Sequence, residues 1–346
     1  MGVGVLVEPV LGAGVLGDPT TELLVRLRPR ASRAVMRSQV VLSALLLALL
    51  VFAVVDGDPV LATLLAATSL FSLWSLYHVW RLVRVSRVSA EILPGADWRP
   101  VDVAVHGAHP TGADVVVTVD GVAIPLHVYG LTLPFRAVLR RTGKAWLVDG
   151  GSVAAIRIEG SHEAFPATRV PKARPARKSE DADPTAVWAR GLASRAMLIV
   201  LPFVAGVVTI LGLTAFAQLH LFAVVTCLVL VVVVFGSRTV RYGHRWIDRQ
   251  LPGLVAKGGW LPVGATASRW TPRVDSTTTT NLVLRLTDGA VAVLELPNAA
   301  ADLLGTIHDT AGAWVAGPLT PGRVVAVGYP GYPLLAAGKV VSTEPA

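Results

Sequence analysis

The chain has 346 residues, of which 53% are hydrophobic and only 16% charged, with a mean hydropathy of +0.60. Soluble domains carry about a quarter charged residues, so this composition argues against an ordinary soluble domain and points to a membrane. The net charge of +8 and pI near 10.1 would suit a nucleic-acid binder, but 14 of the 31 Lys and Arg residues flank hydrophobic segments, where orientation signals belong. Nucleic acid is therefore set aside as a partner. The single cysteine, Cys227, excludes an intrachain disulfide and a cysteine-based zinc site. Arg outnumbers Lys by 26 to 5 amid abundant Ala, Val and Gly, a usage that points to GC-rich codons and a bacterial inner membrane.

Residues 1–37 form an N-terminal segment that turns basic toward its end, with Arg26, Arg28, Arg30, Arg33 and Arg37. No basic region precedes its apolar stretch, and Glu8, Pro9 and Asp18 interrupt that stretch, so it does not read as a signal peptide. Gly12-Ala13-Gly14-Val15-Leu16-Gly17 fits G-x-G-x-x-G, but no strand–turn–helix context surrounds it, and it reads as a turn.

Residues 38–80 lack Lys and Arg and divide at Asp56-Gly57-Asp58 into the runs Gln39–Val55 and Pro59–Trp80. Residues 193–237 hold a second pair, Ala196–Ala215 and Leu219–Gly236. Each run approaches the roughly 20 apolar residues of a bilayer crossing. The spacing predicts an α+β integral membrane protein with four transmembrane helices arranged as two hairpins. Each hairpin is followed by a small β-rich domain. The Arg-rich bases and Arg-free tips predict a multi-pass protein of the cell membrane with both termini cytoplasmic. Trp74, Tyr77 and Trp80, and in the second half Trp188 and Trp246, are expected as interfacial anchors.

Order-preserving matches divide the chain into two units of roughly 165 residues. Asp18-Pro19-Thr20 recurs as Asp183-Pro184-Thr185, and Ala31-Ser32-Arg33-Ala34 as Ala193-Ser194-Arg195-Ala196. Leu93-Pro94-Gly95 recurs as Leu251-Pro252-Gly253, and Ala145-Trp146-Leu147-Val148 as Ala313-Trp314-Val315-Ala316. All offsets lie between 158 and 171 residues. Residues 81–165 and 238–346 are the expected β-rich domains, joined through a Pro-rich, charged linker at 166–192. Asp120-Gly121 and Asp288-Gly289 each predict a tight hairpin turn between strands. Short helices are expected around Pro134–Arg141 and Ala299–Asp309.

No metal, cofactor or catalytic motif emerges. His106 and His109 would fall on opposite faces of a strand, and no carboxylate or cysteine completes a zinc set. Thr68, Ser72 and Ser75 form a polar row at i, i+4, i+7, a helix-packing surface or the lining of a pore. Arg26, Arg28, Arg30, Arg33, Arg81, Arg84, Arg238, Arg241 and Arg245 are expected to meet anionic lipid headgroups. The expected function is that of a non-enzymatic membrane protein. Its duplicated domains would serve as a scaffold for another membrane or cytoplasmic protein, or for a second copy. The alternative is a subunit of a transporter or channel.

Overall fold

The computed structural model describes residues 7–57, 59–109, 111–174, 183–197 and 243–345. The chain divides into two compact units, residues 1–180 with 272–276 and residues 181–271 with 277–346.

Unit 1 opens on a helical hairpin, α1 (Pro19–Asp56) and α2 (Pro59–Glu91). Asp18 caps α1, its carboxylate accepting the backbone N–H of Thr20 and Thr21 at 2.9 and 3.2 Å, while Pro19 occupies the position whose missing N–H costs nothing. Gly57 ends the helix in the left-handed conformation, φ 78°, which a residue with a Cβ adopts only under strain. Pro59 then opens α2.

Among the described residues one helix, Pro19–Val55, is long and apolar enough to cross a membrane. The expectation of four transmembrane helices in two hairpins is overturned, and with it the multi-pass assignment to the cell membrane. The expected second run does not stop at Trp80: α2 continues unbroken through Arg81, Arg84 and Arg87. Most of the remaining described chain forms two closed β-barrels. The expected second hairpin falls on residues 193–237, and all of it beyond Met197 lies outside the described residues.

Barrel 1 comprises β1 (Arg99–His109), β2 (Gly112–Val119), β3 (Val122–Tyr129), β4 (Lys144–Asp149), β5 (Val153–Ile158) and β6 (Phe165–Arg169), with α3 (Leu133–Thr142) between β3 and β4. Its order is β1-β2-β3-β6-β5-β4, antiparallel throughout and closed by pairing of β1 with β4. Closure leaves no free edge to recruit another strand. Asp120 and Gly121 both take positive φ, 51° and 80°, as the tight β2–β3 turn requires. Alternation turns Ala113, Val115 and Val117 inward with Leu126 and Val128, while Phe135 of α3 packs edge-on against Phe165.

The hairpin base is fastened to this barrel. Val15, Leu93, Trp98, Trp146, Val148, Ala155 and Ala164 form one apolar cluster across the junction. Beside it lies a buried polar clasp. The Arg157 guanidinium donates to Asp18 Oδ2 at 2.8 Å, Thr21 Oγ1 at 3.0 Å and the Ser161 carbonyl at 2.8 Å, and His162 Nδ1 lies 2.7 Å from Asp18 Oδ2. Burial alone would raise the Asp18 pKa. The hydrogen bond from His162 and the charges of His162 and Arg157 outweigh it and hold the carboxyl well below the usual range.

Unit 2 repeats the plan. Asp183 caps α4 (Pro184–Met197), accepting from the N–H of Thr185 and Ala186. A 3-10 segment (Gly243–Gln250) and α5 (Leu251–Lys257) lead into barrel 2. Its strands are β7 (Leu261–Ala267), β8 (Thr277–Arg285), β9 (Val291–Ala300), β10 (Gly312–Ala316), β11 (Val324–Gly328) and β12 (Leu335–Glu344), with α6 (Ala301–Thr310) after β9. The order β7-β8-β9-β12-β11-β10 matches barrel 1 strand for strand. The clasp differs. Gly328 stands where Arg157 does in unit 1, and a Cβ there would come within 2.1 Å of the Leu334 carbonyl. Thr185 makes the tie instead, accepting from Gly331 N–H at 2.7 Å.

One buried carboxyl in unit 2 is under electrostatic stress. Asp248, 1% exposed, accepts one hydrogen bond from Asn298 Nδ2 at 2.7 Å. Among the described residues, Asp248 Oδ1 and Asn298 Oδ1 have no donor. Burial pushes the Asp248 pKa up to about 7, against the opposing hydrogen bond from Asn298 and the charge of Arg245. The fold thus favours the protonated acid, while the unfolded chain ionises near the ordinary value of about 3.9. The contribution of Asp248 to the stability of unit 2 should be greatest below that ordinary value, fall as pH rises to about 7, and level off above. Asp248→Asn keeps an acceptor for Asn298 and adds a neutral donor. Thermal unfolding across pH should show this variant more stable than the parent near neutrality, by roughly 1–4 kcal/mol, with the slope between the two pKa values removed.

Candidate functional site

The α1–α2 hairpin inverts the usual distribution of polarity. A helix on a soluble domain buries its apolar stripe and exposes its polar face. Here Val41, Phe52 and Val55 of α1 and Leu70, Phe71 and Trp74 of α2 point outward, Val55 being 81% exposed and Leu70 69%. Ser43, Ser69 and Ser72 are buried between the helices, at 3%, 3% and 4%. The seam is hydrogen-bonded. Ser43 Oγ and Ser72 Oγ lie 2.8 Å apart, and Gln39 Nε2 donates to Ser72 Oγ at 3.0 Å and to the Ser72 carbonyl at 3.2 Å. Ala53 lies fully buried near the tip. Small residues let the backbones approach, and their hydroxyls tie the helices together where water is absent.

The charge-free stretch of α1 between Arg37 and Asp56 rises about 27 Å at ~1.5 Å per residue, close to the ~30 Å of a bilayer hydrocarbon core. Below it lies an aromatic ladder on α2. Phe71 and Trp74 have ring centroids 5.8 Å apart, and Tyr77 and Trp80 6.2 Å. The Arg84 guanidinium lies 5.8 Å from the Trp80 ring. Aromatic rings followed by cations are the sequence of groups that suits a membrane–water boundary.

The arginines separate into two kinds. Arg28 is turned into the protein, donating to the Ala164 carbonyl at 2.6 Å, pairing with Glu163 at 2.9 Å and lying over Phe165. Arg26 is exposed and pairs with Glu22. Arg30, Arg33, Arg81 and Arg84 are exposed, and among the described residues no carboxylate pairs with them. Arg245 is half-buried in the 3-10 segment of unit 2, and Arg238 and Arg241 lie outside the described residues. Within unit 2, Arg195 lies over Trp188 and Arg249 over the exposed Trp246, at 5.1 and 4.0 Å.

The polar row read from the sequence is rotated relative to the real seam. Ser72 lies in it, but Thr68 is exposed and spends its hydroxyl on the Leu65 carbonyl, and Ser75 is only half-buried. Ser69 takes the inward position instead, three residues from Ser72 on the same face. Gln39 and Ser43, one helical turn apart within the charge-free run, were the available signal for the other side of the seam.

His109, which the sequence sets on the opposite strand face from His106, lies beside His127, Thr111 and Asp114 on barrel 1, whereas His106 is not part of that group. No group of three or more metal-ligating side chains occurs among the described residues. No family model, no curated protein and no solved structure matches this chain, so its geometry carries the functional argument.

Replacing Ser72 tests the seam. Ser72→Ala removes the shared partner of Gln39 and Ser43 and should destabilise the hairpin by ~0.6–2 kcal/mol, whereas Ser72→Leu should force the helices apart. A disulfide between cysteines placed across the seam should form in the parent and in Ser72→Ala, and fail in Ser72→Leu.

Proposed function

We propose that this chain is a non-enzymatic scaffold that contacts a lipid bilayer through the α1–α2 hairpin and presents its β-barrels as binding surfaces for partner proteins. The observation that carries the reading is the inverted hairpin, with serines inside and valine, leucine and phenylalanine outside. In water that outer surface has a large unfavourable hydration free energy, about 25 cal/mol per Å² of apolar area, and natural monomers rarely leave such a band uncovered. Hydrocarbon removes the penalty without requiring any specific partner residue.

Arg30, Arg33, Arg81 and Arg84 fit the polar boundary of that layer, where anionic headgroups attract basic side chains by about 1 kcal/mol each. The closed barrels, with no strand edge, suit binding by surface contact rather than by strand addition. The clasp around Asp18 fixes barrel 1 to the hairpin, so barrel 1 stands at a set height above the lipid.

Flotation of the purified full chain with vesicles tests this. Recovery with phosphatidylcholine vesicles containing phosphatidylglycerol should exceed recovery with phosphatidylcholine alone, and added salt should reduce the difference. Arg81→Glu with Arg84→Glu should abolish the headgroup preference and leave the apolar contribution. A protein that stays monodisperse in detergent-free buffer and fails to float with either vesicle would overturn the proposal.

A further inference from the structure

The outer wall of barrel 1 carries a polar array that barrel 2 lacks. Asp114 of β2 pairs across the ladder with His127 of β3, both facing outward beside the inward pair Val115 and Leu126. Despite facing outward they are 5% and 9% exposed. The matching pair in barrel 2, Asn281 and Glu295 beside Leu282 and Leu294, is open to solvent. The barrel fold therefore does not require a buried acid–imidazole pair at this place.

Six contacts organise the array. His127 Nδ1 lies 2.7 Å from Asp114 Oδ1, and His127 Nε2 lies 3.1 Å from Thr111 Oγ1. Thr111 Oγ1 is 2.7 Å from His109 Nδ1, and the Thr111 backbone N–H also donates to that nitrogen at 3.2 Å. On its far side Asp114 Oδ2 accepts the backbone N–H of Arg174 at 3.2 Å, with the Arg174 guanidinium at 3.9 Å. Arg174 lies hard against β1, its Cβ only 2.6 Å from where a Cβ on Gly107 would stand, so only glycine admits this crossing.

Proton counting fixes the donors. His109 Nδ1 accepts from the Thr111 N–H, so it bears a lone pair and its proton is on Nε2. The Thr111 hydroxyl then has one proton, which goes to the nearer His109 Nδ1. The turn as it stands therefore holds His109 neutral.

We infer that this array is an acid-released latch, in which a proton taken up by His109 breaks the His109–Thr111 turn and frees Arg174 from the barrel wall. Protonated His109 would aim Nδ1–H at the Thr111 N–H and at a hydroxyl that had been donating to it. It would also add a positive charge beside His127 and Arg174, with Asp114 as the opposing carboxylate and His78 of α2 as a further basic neighbour. Burial, then the charges of His127 and Arg174, already hold the His109 pKa below its ordinary value, while Asp114 opposes them. The folded turn thus prefers neutral His109. Its closure is complete above the ordinary histidine value near 6.5 and weakens as pH falls toward the lowered one.

Hydrogen–deuterium exchange of the full chain in lipid particles, corrected for the intrinsic pH dependence of exchange, reads the latch directly. Exchange in peptides from β1–β2 and from residues 165–174 should rise by up to about tenfold per pH unit between the two values, while β7–β8 peptides of barrel 2 stay unchanged. His109→Asn keeps an acceptor for the Thr111 N–H but cannot titrate, and should remove the acid response. Thr111→Val should leave the turn unprotected at neutral as well as acid pH. Equal protection of the wild-type turn at both pH values, or an acid response in barrel 2 as large as in barrel 1, would overturn the inference, as would an unchanged response in His109→Asn.

Discussion

The outer faces of α1 and α2 set the problem that the rest of the molecule has to solve. Side chains such as Phe52, Val55, Leu70 and Phe71 face outward, and the hydrophobic effect opposes leaving them in water. Part of the seam between the helices is polar, with Ser43, Ser69 and Ser72 buried there. In an apolar surrounding the same arrangement becomes favourable. The outside is then indifferent, and the serine and glutamine hydrogen bonds inside have no water to compete with them. The proposed lipid contact would remove that cost, and it would set the Arg and aromatic residues of the hairpin at the edge of the hydrocarbon.

The two units show how one plan accommodates different attachments. Each places a helix capped by Asp-Pro-Thr against a six-stranded antiparallel barrel, with an apolar cluster at the junction. Unit 1 adds an ion pair, Asp18 with Arg157, held by Thr21 and His162. Unit 2 has glycine at the corresponding strand position and ties its helix through a threonine hydroxyl. A buried ion pair stabilises little beyond a well-packed apolar contact, but breaking one leaves an uncompensated charge. The clasp in unit 1 thus makes the angle between hairpin and barrel costly to change, which suits a barrel held at a fixed place above lipid.

Much of the plan was legible in the sequence, because period and turn chemistry are local. Asp120-Gly121 and Asp288-Gly289 lie in β-hairpin turns, and the repeated Ala-Trp segments at Ala145 and Ala313 fall on the equivalent strands β4 and β10. The number of spans was not legible. An apolar run fixes composition, whereas where a helix ends depends on what it packs against, and α2 continues ten residues past Arg81 to rest on barrel 1. The seam was missed by one position because Thr68 can satisfy its hydroxyl within its own helix, a choice that periodicity cannot reveal. The sequence sets Arg28 among the lipid-facing arginines and gives Arg157 no role, whereas the fold brings Glu163 and Asp18 to them from more than a hundred residues away. The Asp114–His127 pair is of the same kind, since only strand register places those two side by side.

In the proposed role the exposed side chains of the hairpin lie in hydrocarbon. A nitroxide at position 52, introduced as Phe52→Cys in a chain whose one native thiol is removed by Cys227→Ser, reports its surroundings through collisions with oxygen or with a water-soluble nickel chelate. With the full chain in lipid particles, the account predicts strong broadening by oxygen and shielding from nickel at position 52, and the reverse for a label replacing Arg33. A label at position 52 that nickel reaches as readily as it reaches position 33 would place the hairpin in water and contradict the account.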